Sequence, residues 1–322
     1  MAKVKCNPTI LTVIVPVFNM KTSIEQCLNS ILNQSFKNLN ILCIDDCSTD
    51  GTDAILDKYQ SVHRNITVEH FNKNRQLGYS RNFALQKVET EYVTFVDADD
   101  WVDTQAYAKC IQKLGIEQSD IAIFGIKNEY ENKKQSQIRY EYADNYIEGN
   151  FALSLLCDAF SQDIAISPIV NNKIYRTEFL KSNNIRFAEM AYYEDMPFSY
   201  ATLRCAHRVS LVGNSFYHYY QNPKSKLHNI TKLQLANFCE ALKIIYVGIN
   251  CEDKNETKLF FSFLDKSLGS LVERIDNFID SSDEKKELLV YLLSELTNNI
   301  PLKSIVNYID VQRIIRAIRM TY

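Results

Sequence analysis

The stretch Glu91-Tyr92-Val93-Thr94-Phe95-Val96-Asp97-Ala98-Asp99-Asp100-Trp101-Val102-Asp103 reads as a β-strand that runs into a core and ends in acid. Tyr92, Val93, Phe95 and Val96 are strand formers, and no Gly or Pro interrupts them. Asp97, Asp99, Asp100 and Asp103 follow at once, four carboxylates within seven residues. Like charges this close are costly unless water, hydrogen-bond donors or a cation compensates them. Hard divalent cations such as Mg²⁺ or Mn²⁺ prefer oxygen ligands, and one or two carboxylates plus the phosphates of a substrate commonly hold them. An isolated acidic turn has a second account, in which the Asp residues cap the next helix and stand in solvent. The rest of the chain decides between the two.

Upstream, Ile10-Leu11-Thr12-Val13-Ile14-Val15-Pro16-Val17-Phe18-Asn19 is an almost continuous apolar run, the pattern of a strand buried on both faces in a parallel sheet, with Pro16 expected to end it. A helical stripe of Ile24, Leu28, Ile31 and Leu32 follows, with Ser23 placed to cap it. The next strand, Leu39-Asn40-Ile41-Leu42-Cys43-Ile44, again ends in acid at Asp45-Asp46. A short helix over 53–59, a strand over 66–71 and a helix over 77–88 carrying Arg81 then lead to the opening stretch. Alternating strands and helices of this kind build an open parallel sheet whose ligands bind beyond the carboxyl ends of the strands. Asp45, Asp46, Asp97 and Asp99 all fall on that rim.

Downstream the pattern predicts a helix over 104–114, a buried strand over 121–126 and a polar, Tyr-rich excursion over 127–146. Two strands, Arg208 to Leu211 and Ser215 to Tyr220, close this part of the chain. From about residue 231 the composition turns to Leu, Ile, Glu and Lys at helical spacing, giving helices near 231–249, 255–275, 282–297 and 309–319. The expected division is therefore a domain over 1–228, with a nucleotide half over 1–126 and an acceptor half over 127–228, and a helical region over 229–322. In the last helix Arg313, Arg316 and Arg319 flank a stripe of Ile and Met. Such a helix suits either an anionic membrane surface, through 309–322, or packing on its own protein or on a second copy.

Composition sets limits. A 322-residue chain with 46% hydrophobic residues has ample material for a large core. The formal net charge of −3 excludes coating of nucleic acid by overall positive charge. The nine cysteines are scattered, with no Cys-x-x-Cys pair, and fit reduced thiols in a cytoplasm. No apolar run reaches the ~18–20 residues needed to span a bilayer, so a cytoplasmic protein, at most peripheral on the inner face of the membrane, is expected.

Taken together, six motifs resemble the bacterial family 2 glycosyltransferases, enzymes of the GT-A fold. They are Thr12-Val13-Ile14-Val15-Pro16-Val17-Phe18-Asn19, Asp45-Asp46-Cys47-Ser48-Thr49-Asp50-Gly51-Thr52, Gly78-Tyr79-Ser80-Arg81-Asn82, Phe95-Val96-Asp97-Ala98-Asp99-Asp100, Asn172-Lys173-Ile174-Tyr175-Arg176 and Tyr193-Glu194-Asp195-Met196-Pro197-Phe198. In order they cover roughly 10–222. The resemblance implies an α/β, Rossmann-like GT-A sheet with flanking helices. It also implies a reaction, inverting transfer of a sugar from a nucleotide-diphosphate donor, most often UDP-linked, to a surface-glycan acceptor such as lipooligosaccharide, capsule or a lipid-linked oligosaccharide. On this resemblance Asp46 accepts the base N–H, Pro16, Val17, Phe18 and Arg81 line the base pocket, and Asp97 bonds the ribose. Asp99 then holds Mn²⁺ or Mg²⁺ against the diphosphate and Asp195 is the general base.

Glu194, Lys173, His218 and Trp101 are further candidates for substrate or diphosphate contacts. Each has an ordinary structural account as well: a support for Asp195, a surface charge, a satisfied histidine in an aromatic strand, and a core aromatic. Three rival functions remain at this stage. They are a metal-binding receiver-like switch, a nucleotidyl- or glycerophosphotransferase, and a catalytically inactive scaffold. A receiver needs only about 120 residues and gives no reason for Glu194-Asp195. The first strand is followed by no Gly-rich phosphate loop, which counts against a P-loop enzyme or a dinucleotide oxidoreductase.

Overall fold

The computed structural model describes residues 9–130, 136–157, 164–221, 230–301 and 305. The expected helix over 309–319, and with it the membrane or oligomer contact through 309–322, lies outside the described residues.

Strands β1 (Leu11–Val17), β2 (Leu39–Asp45), β3 (Ile66–His70) and β4 (Tyr92–Phe95) alternate with helices α1 (Ile24–Leu32), α2 (Thr52–Val62) and α3 (Leu77–Lys87). The four strands are parallel, in the order β3-β2-β1-β4. All seven residues of β1 are buried, as a strand covered on both faces requires. Pro16 does not end β1 but pairs with Ile44 inside it. The reason is local: β4 pairs with β1 only as far as Ile14↔Phe95, so the missing N–H of Pro16 costs no ladder bond on that side. Ser23 stands at the N-cap of α1 without a side-chain cap bond, and its hydroxyl is turned to the Met20 carbonyl instead.

Beyond β4 the sheet becomes mixed. Strand β5 (Trp101–Val102) and helix α4 (Ala106–Glu117) lead to β6 (Ile121–Glu129), with β7 (Gln137–Tyr140) and β8 (Asn145–Glu148) after it. Helix α5 (Gly149–Cys157), strand β9 (Lys173–Arg176), helices α6 (Thr177–Ser182) and α7 (Asp195–Cys205) and strand β10 (Arg208–Tyr220) complete this part. β9 runs antiparallel to both β4 and β6, whereas β10 is parallel to β6. The polar segment read as an excursion is partly in the sheet, since β7 pairs with β6 and β8 with β10. The two strands expected after 208 are one strand, broken by a register shift between Val212 and Phe216 where Asn214 takes φ 49°. Helices α8 (Lys232–Gly248), α9 (Lys254–Phe278) and α10 (Ser282–Asn299) lie close to the expected tail helices.

By internal contacts the chain forms two units. The first comprises Met1–Gly149, Ile169–Glu189 and Cys205–Gln221, and contains the whole sheet. The second comprises Asn150–Pro168, Met190–Arg204 and Asn222–Tyr322, so it crosses the boundary expected at 228 and takes in the Glu194-Asp195 segment.

Two glycines separate helix propensity from packing. A Cβ at Gly78, in the first turn of α3, would stand 2.1 Å from the Ala188 carbonyl oxygen, whereas one at Gly115, inside α4, would meet nothing within 4 Å. Alanine is favoured over glycine in a helix interior by about 1 kcal/mol. Gly115→Ala is therefore expected to stabilise by about that amount. Gly78→Ala should destabilise by about 1–3 kcal/mol, since the backbone it meets must shift. Denaturant titration of the two variants checks both signs, and stabilisation by Gly78→Ala would mean that α3 does not pack on residue 188.

Candidate functional site

Pro16, Val17, Asp46, Asp97 and Asp99 stand at or just beyond the carboxyl ends of β1, β2 and β4. The Asp46 N–H donates to the Val17 carbonyl at 2.8 Å, which ties the end of β2 to the Pro16-Val17-Phe18 segment. Its carboxylate accepts the backbone N–H groups of Arg75 (2.6 Å) and Gln76 (2.8 Å). Burial raises the Asp46 pKa above its ordinary value despite those two donors. Asp46 thus fixes the turn in which Gln76 takes φ 73°, just before α3 begins.

α3 in turn delivers Arg81, which is 2% exposed. Its guanidinium donates to Asp97 Oδ1 at 2.8 Å and lies over the Phe187 ring, 5.2 Å from the centroid. Arg81 therefore meets the acid of β4. Asn171 Nδ2 donates to the other oxygen, Asp97 Oδ2, at 2.6 Å. Asp100, 1% exposed, accepts from the Tyr217 hydroxyl at 2.6 Å and from the Tyr220 N–H at 2.8 Å. The Tyr217 oxygen also receives the Asp97 N–H and Asn171 Nδ2, each at 3.1 Å. One tyrosine hydroxyl so joins β10 to the acidic turn and to the segment before β9.

Asp99 stands apart from this network. No other described residue donates a hydrogen bond to its carboxylate, and burial followed by the Asp97 charge pushes its pKa up to about 6. Arg81 is the one cation paired with the Asp97-Asp99-Asp100 run among the described ion pairs. That imbalance, with hard oxygen donors on the rim, fits a divalent cation held by Asp99 together with ligand phosphates. No group of three or more His, Cys, Asp or Glu among the described residues is arranged to hold a metal ion by itself.

Three lower-ranked candidates have protein partners in the structure. Lys173 is fully buried, and its ammonium donates to the Ile169 carbonyl and to Asn172 Oδ1. His218 Nδ1 contacts Glu129 Oε1 at 2.7 Å and Nε2 contacts Asp103 Oδ1 at 2.9 Å. Each ring nitrogen of His218 therefore faces a carboxylate oxygen. Trp101 stacks on that ring, with centroids 5.3 Å apart and an interplanar angle of 11°.

Burial alone would lower the His218 pKa, but the bonds to Asp103 and Glu129 outweigh it and hold it above the ordinary 6.5. A raised histidine pKa contributes stability that is fully present below the unfolded value and is lost as pH rises through the folded one. His218→Gln should cost about 2 kcal/mol at pH 6. The gap to the parent should narrow as pH rises past 6.5, and thermal melts from pH 5.5 to 8.5 would show it. A gap independent of pH would mean that the ring acts by packing alone.

In the second unit Glu194 is buried and Asp195 is half-buried at the first position of α7. Sequence reasoning missed Asn171, Tyr217 and Asn82, whose side chain exchanges two 2.9 Å bonds with the Phe187 backbone. Asn171 adjoins the Asn172-Lys173 motif, a signal that could have found it. Tyr217 sits in a strand of alternating aromatics, where nothing distinguishes a working hydroxyl from a core ring.

Residues 12–182 match the family model described as glycosyl transferase family 2. The chain belongs to that family. Glycosyltransferase GlyA of Streptococcus pneumoniae is 33% identical over 174 residues, which are 53% of this chain and 22% of GlyA. Poly(ribitol-phosphate) beta-N-acetylglucosaminyltransferase TarS of Staphylococcus aureus is 28% identical over 262 residues, 79% of this chain and 44% of TarS. This family 2 chain thus spans less than half of either relative. The crystal structure of S. aureus TarS 1-349 in complex with UDP-GlcNAc superposes with a TM-score of 0.74 at 21% identity, over 97% of this chain and 89% of that one. The expected GT-A class holds: a mixed α/β protein with a central sheet, flanking helices and a C-terminal helical region. No helix among the described residues is long and apolar enough to cross a membrane.

Proposed function

We propose that the protein is an inverting, metal-dependent glycosyltransferase. It takes a sugar from a UDP-linked donor and places it on a hydroxyl of a bacterial cell-surface glycan, with Asp195 as the general base. One observation carries the reading: of the three acids between β4 and β5, two are neutralised or wired into the fold, and Asp99 is left with a raised pKa and no donor from another described residue. A structural turn has no use for that arrangement, and a cation that arrives with a diphosphate does. UDP is favoured because a structure of similar fold holds UDP-GlcNAc, and a surface polymer because TarS is named for poly(ribitol phosphate).

Asp97 is held on both oxygens by Arg81 and Asn171, and each oxygen keeps a lone pair for a ribose hydroxyl. Asp46 and the Pro16-Val17-Phe18 segment bound the base. A cation on Asp99 and the diphosphate would stabilise the charge that develops on the leaving nucleotide. Asp195 takes the proton of the acceptor hydroxyl as that oxygen attacks the anomeric carbon from the face opposite the leaving group. One carboxylate suffices, because the departing diphosphate needs no acid.

Calorimetric titration with UDP, GDP, CMP and dTDP, each with Mn²⁺ and with chelator, tests the reading. Binding of UDP only with metal is the expected result, followed by release of UDP from one member of a UDP-sugar panel. If none of the four binds, the inactive scaffold replaces the enzyme.

A further inference from the structure

The helical region after residue 229 lies outside the family match, yet it belongs to the same compact unit as Glu194-Asp195. The contacts within that unit show what it does there. Tyr193, two residues before the proposed base, has φ 61°, in the left-handed region that a residue of its bulk seldom occupies. Such a backbone persists only where the surroundings over-determine it, and it tends to mark functional sites. Here the surroundings are identifiable. The Tyr193 ring packs edge-on against Phe238 of α8, with centroids 5.3 Å apart at 74°, and its hydroxyl receives Arg274 Nη1 of α9 at 3.0 Å. The Tyr193 carbonyl accepts the Met196 N–H at 3.2 Å, so the same residue opens the helix that Asp195 begins.

α9 grips α7 along its length as well. Arg204, in the last turn of α7, forms a forked pair with Glu256 in the first turn of α9, with contacts of 2.9–3.1 Å. Midway, Tyr200 packs edge-on against Phe263 at 5.6 Å. The order 193, 200, 204 on one side against 274, 263, 256 on the other makes the two segments antiparallel, with Arg274 at the end that holds Asp195. Burial raises the Tyr193 pKa, the Asp195 charge adds to that and Arg274 opposes it, so both charges act at the same phenol.

We infer that Arg274, acting through Tyr193, is a positioning residue for Asp195, and that α8 and α9 are the scaffold that sets the direction of the proposed base. The inference rests on the proposed glycosyltransferase reading and deepens it. It assigns Arg274 no contact with the substrate. A positioning residue has a distinct kinetic mark. Misdirecting a proton acceptor slows the chemical step, while a donor bound through residues of the first unit still binds.

The test uses the full chain, with turnover read as UDP released from the best member of the UDP-sugar panel. Arg274→Met should lower kcat by on the order of 10- to 100-fold, the cost of a catalytic group set slightly wrong. KM for the UDP-sugar and Kd for UDP with Mn²⁺ should stay within about twofold, a split that a lost ground-state contact would not give. Arg274→Lys, which keeps the donor, should recover most of the loss. Tyr193→Phe should lower kcat in the same way, and the double variant should be no slower than the worse single, because the proposed effect of Arg274 on Asp195 passes through the Tyr193 hydroxyl. An Arg274→Met protein with parent kcat overturns the inference, as does one whose UDP affinity and melting temperature fall in step with kcat. So does a double variant whose losses multiply. The enzyme reading fails separately. Unchanged turnover in Asp195→Asn would remove the base itself, whereas loss there with parent turnover in Arg274→Met would remove only the role of Arg274.

Discussion

Asp195→Asn is expected to lower kcat by about 10²–10⁴-fold, the usual contribution of a general base. Kd for UDP with Mn²⁺ should change by less than about twofold. The substitution is close to isosteric and Asn still serves well at a helix N-terminus, and the interaction of the carboxylate with the helix dipole that it removes is worth about 0.3–1 kcal/mol. Against a typical total stability of ~5–15 kcal/mol that leaves the folded population intact. A hundredfold loss of turnover with unchanged nucleotide binding therefore has to come from the chemical step. Two results would count against the assignment. Parent-like turnover would make Asp195 an ordinary helix-start acid, and joint loss of turnover and UDP affinity would make it a structural one. Inversion is checked on the same material, since a β-linked product from an α-linked UDP-sugar, read from the anomeric proton coupling, is the expected outcome.

How much of this was legible in the sequence depended on whether the signal was periodic. β1 and β2 announce themselves because strands covered on both faces are apolar throughout, and all of β1 and six of the seven residues of β2 are buried. α9 and α10 were visible because helical spacing over 25 and 18 residues is hard to mistake. What failed was non-local. β7 and β8 carry little apolar signal because most of their residues are exposed, and their place in the sheet comes from pairing with β6 and β10. Propensity alone makes Pro16 a strand end, because it carries no information on where β4 stops pairing. The bulge after Val212 looked like a gap between two strands for a similar reason.

The site followed the same rule. Asp46, Asp97 and Asp99 follow strand ends and Arg81 stands in a motif of the family resemblance, which supplied their roles, and Arg81 meets Asp97 directly. The surroundings of Lys173 and His218 were harder to read, because nothing in the sequence marks the carbonyl beside the buried ammonium, and the two carboxylates beside the imidazole are far from it in sequence. Asn171 and Tyr217 have no periodic signature. Their partners, Asp97 and Asp100, are 74 and 117 residues away.

Asp99→Asn should abolish the metal dependence of UDP binding and, at the same time, raise the melting temperature of the ligand-free protein by about 2 °C. Both halves follow from the same fact. Burial and the Asp97 charge raise the Asp99 pKa to about 6, well above the value an exposed Asp would have. A carboxyl whose folded pKa is raised binds its proton more tightly in the folded state than in the unfolded one, so its ionised form costs stability at neutral pH. Asn removes the charge and keeps the shape, so the ligand-free fold should gain. The same substitution removes the anion that a hard cation requires, so titration with Mn²⁺ present should look like titration with chelator. A purely structural acid predicts the opposite pair, a lower melting temperature and unchanged UDP binding. If the variant melts higher but still binds UDP only with metal, the cation is held elsewhere on the rim and Asp97 becomes its ligand, at the expense of the bond to Arg81.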